Sequence, residues 1–270
     1  MTRWLITGGG GMLATDLVRV LQGAHVTAPT RSELDITDET QIAEAVANAD
    51  VVVNCAAWTA VDDAETREAD ALRVNAPLKL AELAGRKLIH VSTDYVFSGE
   101  GTDPWPEDAP TGPINAYGRT KLAGERAVLN NNGTVVRTAW LYGAHGPNFV
   151  RTMTRLEQSH ATVNVVADQH GQPTWTHDLA IQIVDLAGAG GVFHATNSGA
   201  TTWHGLAQEV FRLLGADPAR VRPITSAEFP RPAPRPKNSV LANTRSKPMR
   251  DWREALTDAW SRELSPPEPR

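Results

Sequence analysis

The chain has 270 residues, which fits one large domain or two small ones. Its apolar share of 41% and charged share of 21% are ordinary for a globular protein and argue against disorder, collagen and coiled coil. A formal charge of −5 predicts no basic surface for nucleic acid or anionic lipid. The single cysteine excludes a disulfide framework and a cysteine-rich zinc site. Because no membrane span or signal peptide is visible, we expect a cytoplasmic protein.

Short apolar runs and amphipathic segments alternate through the first 140 residues. Strands are predicted over 4–7, 25–28, 50–54, 88–92 and 134–138, and helices over 12–21, 39–49, 64–83 and 116–130. This alternation is typical of an α/β protein with a Rossmann-type, doubly wound parallel sheet and right-handed crossovers.

The pattern loosens in the second half of the chain. Helices are predicted over 149–157, 177–186 and 203–214, strands over 162–166 and 191–195, and an extended proline-rich loop over 229–236. We therefore expect a dinucleotide-binding domain over 1–143, with later returns over roughly 177–195. Residues 144–270 would then form mainly a smaller C-terminal lobe that binds substrate at the carboxyl ends of the strands.

A glycine-rich turn follows the first predicted strand. Gly8, Gly11 and Ala14 form a G-x-x-G-x-x-A pattern that opens the first helix. A pyrophosphate needs backbone N–H donors at a helix N-terminus without a Cβ in the way, and Gly8 and Gly11 provide that. The simpler interpretation is a glycine-rich strand–helix turn with no ligand, but its position directly between strand and helix favours dinucleotide binding.

Tyr117 and Lys121 are four residues apart on one predicted helix face. A phenol whose pKa is lowered by an adjacent ammonium and a cationic nicotinamide can donate a proton to a carbonyl oxygen as hydride reaches the carbon. Thr93, at the end of the fourth strand, can hydrogen-bond the same carbonyl, and Ser92 is its rival. An exposed helical pair and a polar strand end are the structural alternatives.

The end of the second strand bears on the choice of nicotinamide. It reads Pro29-Thr30-Arg31, with no carboxylate until Glu33. An arginine at this place suits the 2′-phosphate of NADPH, and Thr30 can add a hydroxyl bond. The sequence therefore predicts NADPH as the preferred cofactor and leaves the use of NADH open. A solvated loop charge is the alternative for Arg31.

Several segments together are similar to those of one enzyme family. They are Val53–Asp62, Ser92–Phe97, Tyr117–Glu125, Arg137–Tyr142, Asp168–Thr174 and Arg235–Leu241. These segments resemble the dTDP-4-dehydrorhamnose reductases, members of the extended short-chain dehydrogenase/reductase superfamily. The resemblance implies NADPH-dependent reduction of the 4-keto group of a dTDP-4-dehydro-6-deoxy-L-hexose, giving dTDP-L-rhamnose or a related deoxysugar.

The resemblance also assigns roles to residues. It implies the catalytic residues Thr93, Tyr117 and Lys121. It places Gly11, Met12, Leu13, Asp35, Ile36, Ala56, Ala57 and Trp58 at the cofactor, and Asp94 and Trp140 at the substrate. We also expect Gly8, Arg31, Tyr117 and Lys121 at the cofactor, and Thr93 and Tyr95 at the substrate. A core tryptophan is the alternative for Trp140, and a small buried apolar residue is the simplest interpretation of Cys55.

Two other functions stay open at this point. A non-catalytic NADP-binding regulatory subunit would share the glycine turn but would not need Thr93, Tyr117 and Lys121. A nucleotide-sugar dehydratase or epimerase is the other, although dehydratases of this superfamily usually carry Asp-Glu where this chain has Asp94-Tyr95. Some family members bind a metal at a dimer interface through glutamates that cannot be matched here, so we expect no metal and leave a homodimer open.

Overall fold

The computed structural model describes residues 1–265. Twelve strands are formed there: β1 Arg3–Thr7, β2 His25–Thr27, β3 Val51–Asn54, β4 Leu88–Thr93, β5 Thr134–Thr138, β6 Leu141–Tyr142, β7 Val163–Val166, β8 His170–Gly171, β9 Thr174–Trp175, β10 Gly191–His194, β11 Thr201–Thr202 and β12 Val221–Ile224. Six of them form one sheet in the order β10-β5-β4-β3-β1-β2, and every pair in it is parallel. The order reverses between β1 and β3, as in doubly wound folds.

Helices cover both faces of this sheet. Ten α-helices are formed within residues 1–265: α1 Met12–Val20, α2 Glu39–Ala47, α3 Val61–Ala64, α4 Glu68–Asn75, α5 Leu78–Ala84, α6 Ala116–Asn130, α7 Phe149–Ser159, α8 Thr176–Asp185, α9 Trp203–Leu213 and α10 Trp252–Ala259. Apolar side chains of α1 and α8 pack on one face of the sheet, and those of α2, α5 and α6 pack on the other. Because both faces are covered, a central strand such as β3 is an apolar run, Val51–Val53, without alternation. The predicted Rossmann-type sheet is confirmed.

The long helix predicted over 64–83 is wrong, since the structure has three short helices there. Pro77 has no backbone N–H and disfavours helical geometry at Ala76, so α4 ends at Asn75 and α5 starts at Leu78. Before α4, Arg67 leaves helical geometry with φ −129°. Glu65, in the turn that results, accepts the backbone N–H of Ala116 at 2.7 Å and so holds the start of α6.

The second half of the chain has its own hydrophobic core. Trp175, Trp252, Tyr142 and Phe211 are buried together in it. It lies among α7, α9 and α10, beside the parallel pair of β7 and β12. The sequence did not predict α10, whose buried Trp252 and Leu256 meet partners distant in the chain.

Two later segments return to the main sheet. The helix α8 packs against α1, and β10 forms the edge of the sheet next to β5. The domain boundary at residue 143 stays a prediction. Residues 266–270, the last five of the predicted C-terminal lobe, lie outside the part of the chain that the structure describes. No helix within residues 1–265 combines the length and the apolar character needed to cross a membrane.

Candidate active site

A cavity of about 400 Å³ opens at the carboxyl ends of β1, β3, β4 and β5. An open parallel sheet places its ligands at this edge because loops from several strands converge there. The cavity brings together residues that lie far apart in the chain: Met12, Leu13, Cys55, Ala57, Thr93, Asp94, Tyr95, Tyr117, Lys121, Thr138, Trp140 and Trp203 are among those that line it.

Helix α6 delivers Tyr117 and Lys121 to this cavity. Asn115 caps the helix by accepting the Gly118 N–H at 2.8 Å. A Cβ at Gly118 would lie 2.2 Å from the Tyr95 carbonyl oxygen, so the first turn presses directly on the chain after β4. One turn later, the buried Lys121 donates from Nζ to the Val91 carbonyl at 2.6 Å.

The expected lowering of the Tyr117 pKa is not seen in the protein alone. Burial raises the pKa of Tyr117 to about 12, and a hydrogen bond with the Thr93 side chain only partly offsets this. Burial also lowers the pKa of Lys121 to about 8. Without the positive charge of an oxidised nicotinamide, desolvation of the phenolate dominates. The phenol is therefore protonated at neutral pH, which is the form a general acid needs.

The geometry separates Thr93 from Ser92. The Thr93 hydroxyl lies at the cavity, where it donates to Asp94 Oδ1 at 2.9 Å and accepts the Tyr95 N–H at 3.2 Å. Ser92 also lines the cavity, but its hydroxyl donates to Glu125 Oε1 at 2.6 Å, and Glu125 is held bidentately by the buried Arg137. This arrangement favours Thr93 as the hydroxyl that meets a substrate.

Two buried oxygen atoms at the cavity have no hydrogen-bond partner among residues 1–265: Asp94 Oδ2 and Thr138 Oγ1. Burial raises the pKa of Asp94 to about 6. Unpaired polar atoms in such a place cost free energy unless a ligand pairs with them. Sequence reasoning missed Thr138, although its position at the end of β5 was a sufficient signal.

Trp140 adopts a strained backbone conformation at the cavity wall, with φ +46°. Its ring stacks on that of Trp203, with the centroids 3.6 Å apart and the planes within 9°. A Cβ at Gly171 would lie 2.4 Å from the Trp140 ring, so only glycine leaves room for this pose. Strain of this kind often occurs at ligand sites. Sequence reasoning missed Trp203, which no local motif marks.

A second cavity, of about 540 Å³, adjoins the first. Tyr95 and Trp203 line both cavities, and Arg231 and Arg235 line the second. Both arginines form ion pairs with Asp62, which thereby fastens the proline-rich loop of 229–236 to α3. The two guanidinium groups and the aromatic walls can receive an anionic ligand with a flat ring.

The glycine turn at the start of α1 fits a dinucleotide. Gly8 has φ +73°, and a Cβ there would lie 2.8 Å from the Ala56 nitrogen, so the turn sits tightly against the end of β3. Gly11 caps α1 without a side-chain hydrogen bond, whereas Asp38 caps α2. The first N–H groups of α1 thus keep their donors for a pyrophosphate.

The chain matches known proteins along nearly its whole length. The RmlD substrate binding domain family matches residues 2–264. The chain is 55% identical to a dTDP-4-dehydrorhamnose reductase of Streptomyces griseus, covering 96% of this chain and 93% of the relative. It is 53% identical to a probable dTDP-4,6-dihydroxy-2-methyloxan-3-one 4-ketoreductase of Streptomyces antibioticus, covering 96% and 94%. The chain belongs to the dTDP-4-dehydrorhamnose reductase family.

A solved structure extends the match to three dimensions. The dTDP-4-dehydrorhamnose reductase of Bacillus anthracis, in complex with NADP, superposes with a TM-score of 0.92 at 34% identity, covering 96% of this chain and 99% of that one. The resemblance found in the sequence motifs is therefore confirmed, and so is the Rossmann-type fold.

The other expected cofactor residues of this reductase fall into two groups, one at or near the cavity and one in the turn after β2. Met12, Leu13 and Ala57 line it, and Ala56 contacts the glycine turn. Trp58 lies outside the lining, where Asn75 accepts its backbone N–H at 2.9 Å. Its side chain packs, as Tyr117 also does, against the cluster of Ala64, Ala71 and Ala116.

The turn after β2 lies farther out. Arg31 is exposed there, Asp35 accepts from the Thr37 N–H and hydroxyl at 2.9 and 2.8 Å, and Ile36 is buried. The Thr30 hydroxyl, expected to add a bond to a 2′-phosphate, donates to Glu33 at 2.8 Å. In residues 1–265 no group of three or more His, Cys, Asp or Glu side chains could hold a metal ion.

Proposed function

We propose that this protein reduces the 4-keto group of a dTDP-4-dehydro-6-deoxy-L-hexose with NADPH, giving dTDP-L-rhamnose or a related deoxysugar. One observation supports this above the others: Thr93, Tyr117 and Lys121 meet in one cavity that also contains Met12 and Leu13 of the glycine turn. The cavity thus brings together the groups that a reduction needs. They are the Tyr117 phenol as the acid, the Thr93 hydroxyl, the Lys121 ammonium and the turn that fits a dinucleotide. Family membership agrees with that chemistry.

The residues divide the reaction among them. When bound at the glycine turn, the cofactor supplies the hydride. Tyr117, whose phenol is protonated at neutral pH, donates a proton to the 4-oxygen. The Thr93 hydroxyl turns from Asp94 Oδ1 toward the same oxygen and orients it by a hydrogen bond. Lys121, buried beside Tyr117, stabilises the phenolate left behind.

We infer that the nucleotide part of the substrate extends into the second cavity. Its diphosphate carries negative charge, and Arg231 and Arg235 are the cations that line that space. The sugar would then reach the first cavity past Tyr95 and the stacked Trp140 and Trp203. There Asp94 Oδ2 and Thr138 Oγ1, both without partners in the described chain, can pair with sugar hydroxyls.

The identity of the sugar is the finer part of this proposal. The relatives at 55% and 53% identity are named for different 4-keto sugars, and one at 51% is a dTDP-4-keto-6-deoxy-D-glucose reductase of Streptomyces niveus. The rhamnose precursor is our first choice because, of these three relatives, the one with the highest identity is named for its reduction. The cytoplasmic location and a homodimer stay predictions.

The test follows NADPH oxidation with a panel of dTDP-4-keto sugars, using Lys121→Met as the inactive control. We expect turnover with at least one sugar of the panel and none with the control. Tight NADPH binding without oxidation by any sugar would instead support a regulatory subunit. Release of water from a dTDP-hexose without net NADPH consumption would support a dehydratase.

A further inference from the structure

A chain of buried polar side chains approaches Lys121 from the side away from the cavity. Lys121 Nζ lies 3.2 Å from His90 Nε2, and His90 Nδ1 lies 2.9 Å from the Asn54 amide nitrogen. The Thr7 hydroxyl lies 2.5 Å from Asn54 Oδ1. All four side chains are at most 1% exposed.

This hydrogen-bonded row of polar side chains is unusual for its position in the sheet. β4 is buried on both faces, where apolar residues are the rule, yet two of its alternate side chains are polar and face α6. Ser92 is accounted for by Glu125, and His90 meets Lys121. Helix α6 is packed closely at this point, since a Cβ at Gly124 would lie 3.1 Å from His90 Nε2.

The Val91 carbonyl and His90 Nε2 hold Lys121 Nζ from the strand side, at 2.6 and 3.2 Å. An ammonium has three N–H donors, so one is left for the cavity that Lys121 also lines. His90 itself does not line that cavity. Its influence on the reaction must therefore pass through Lys121.

The hydrogen bonds of this chain allow two arrangements. If Lys121 is charged, it can only donate, so His90 Nε2 must accept and Nδ1 must carry the ring proton. Nδ1 then donates to the Asn54 amide oxygen, which requires the amide to turn over, because its nitrogen is the atom that lies 2.9 Å from Nδ1 in the structure. If Lys121 is neutral, His90 Nε2 can donate to it, and Nδ1 accepts from the Asn54 amide nitrogen. The Thr7 hydroxyl accepts in the first arrangement and donates in the second.

We propose that His90, held by Asn54 and Thr7, is a positioning residue for Lys121 and reverses its ring tautomer when Lys121 loses its proton. Thr7 is the last residue of β1 and directly precedes Gly8. The chain therefore connects the start of the glycine turn to the ammonium beside Tyr117. The inference rests on the proposed function only in taking Lys121 as the ammonium that serves the reduction.

The electrostatics around Lys121 agree with this assignment. Burial and the charge of Lys121 lower the pKa of His90 well below its usual range, so the ring stays neutral and responds by changing tautomer. Burial lowers the pKa of Lys121 to about 8, and the charge of Glu125 on α6 only partly offsets this. The Cys55 thiol after β3 stays neutral in this range, because burial raises its pKa to about 12. Tyr117, the remaining titratable group on this face of α6, loses its proton only near pH 12.

The direct test is nitrogen-15 NMR of the histidine rings in the full chain without cofactor, from about pH 6 to pH 10, with His90→Gln to assign the signal. We expect His90 to carry its proton on Nδ1 at low pH and on Nε2 at high pH, with its midpoint near that of Lys121. In Lys121→Met the ring should keep one tautomer throughout. A single tautomer in the parent, or a change that persists in Lys121→Met, would overturn the proposal.

The pH dependence of kcat supplies a second, independent readout. In His90→Leu the ammonium loses an acceptor, so the fall of kcat at alkaline pH should begin about one pH unit lower. His90→Gln keeps an acceptor and should leave that fall close to its position in the parent. A uniform loss of kcat at every pH would show a packing role alone. If the parent oxidises no NADPH, the proposed function fails, while the NMR titration still decides on His90.

Discussion

Tyr117→Phe isolates one oxygen atom as the source of the proton in the reduction. The phenol is protonated at neutral pH, and burial raises its pKa further, to about 12. Thr93, the other hydroxyl at hand in this cavity, is an aliphatic alcohol, a much weaker acid than a phenol, and cannot replace Tyr117 as the proton donor. General acid catalysis contributes about 10²- to 10⁴-fold, which at about 1.36 kcal/mol per tenfold step is about 2.7–5.4 kcal/mol of activation free energy.

Tyr142, one of the three tyrosines of the chain, offers a matched control. The Tyr142 hydroxyl is buried in the second core and has no hydrogen-bond partner among the described residues. Tyr142→Phe removes the same atom far from the chemistry, so kcat should not change. The free energy of unfolding should rise by about 1–3 kcal/mol, because an unpaired buried polar group is removed.

The assay is single-turnover oxidation of NADPH at saturating nucleotide sugar, which isolates the chemical step from product release. Tyr117→Phe should bind NADPH nearly as well as the parent and react about 10²- to 10⁴-fold more slowly. A single-turnover rate within roughly threefold of the parent would refute the assignment of Tyr117 as the acid.

Three further outcomes follow from the same site. Trp140→Ala should raise KM for the nucleotide sugar and leave Kd for NADPH unchanged; a loss of about 3–5 kcal/mol in stability with KM intact would instead identify a core residue. The parent should prefer NADPH over NADH by about tenfold or more in kcat/KM, and Arg31→Ala should abolish most of that preference, since one charge-assisted pair contributes roughly 1.5–3 kcal/mol; equal use of both cofactors by the parent would contradict this. Burial raises the pKa of Asp94 to about 6, so its carboxyl favours the folded state when protonated, and that contribution is lost as the pH rises through 6. Asp94→Asn should therefore raise the free energy of unfolding at pH 7 by up to about 3 kcal/mol, an advantage that urea titrations should find gone near pH 4, while KM for the sugar rises.

The sequence predicted those features that are written locally. Apolar runs such as Val51–Val53 and the glycines after β1 located the strands and the turn, because burial on both faces and tight backbone turns each leave a local mark. The four-residue spacing of Tyr117 and Lys121 also predicted that both side chains lie at one cavity, because residues i and i+4 share one face of a helix.

Features that depend on distant contacts escaped. Trp203 faces Trp140 across 63 residues of sequence, and nothing near either residue encodes the stack. The arginines of the proline-rich loop reach the second cavity through Asp62, and α10 is held by a core assembled from several other elements. His90 reads as one more residue of an apolar strand until Lys121 is seen opposite. The break before α5 differs from these features, because Pro77 is a local signal that ends the preceding helix.

The stack of Trp140 on Trp203 joins one residue from the end of the parallel sheet to one from the first turn of α9. The reacting groups belong to the sheet and to α6, whereas the farther wall belongs to elements with a separate core. Substitutions around α9 can therefore reshape the space for a sugar without disturbing the proton donor. Enzymes with this arrangement can change their sugar substrate while they keep one reaction. This agrees with the relatives at 55%, 53% and 51% identity, which are named for different 4-keto sugars.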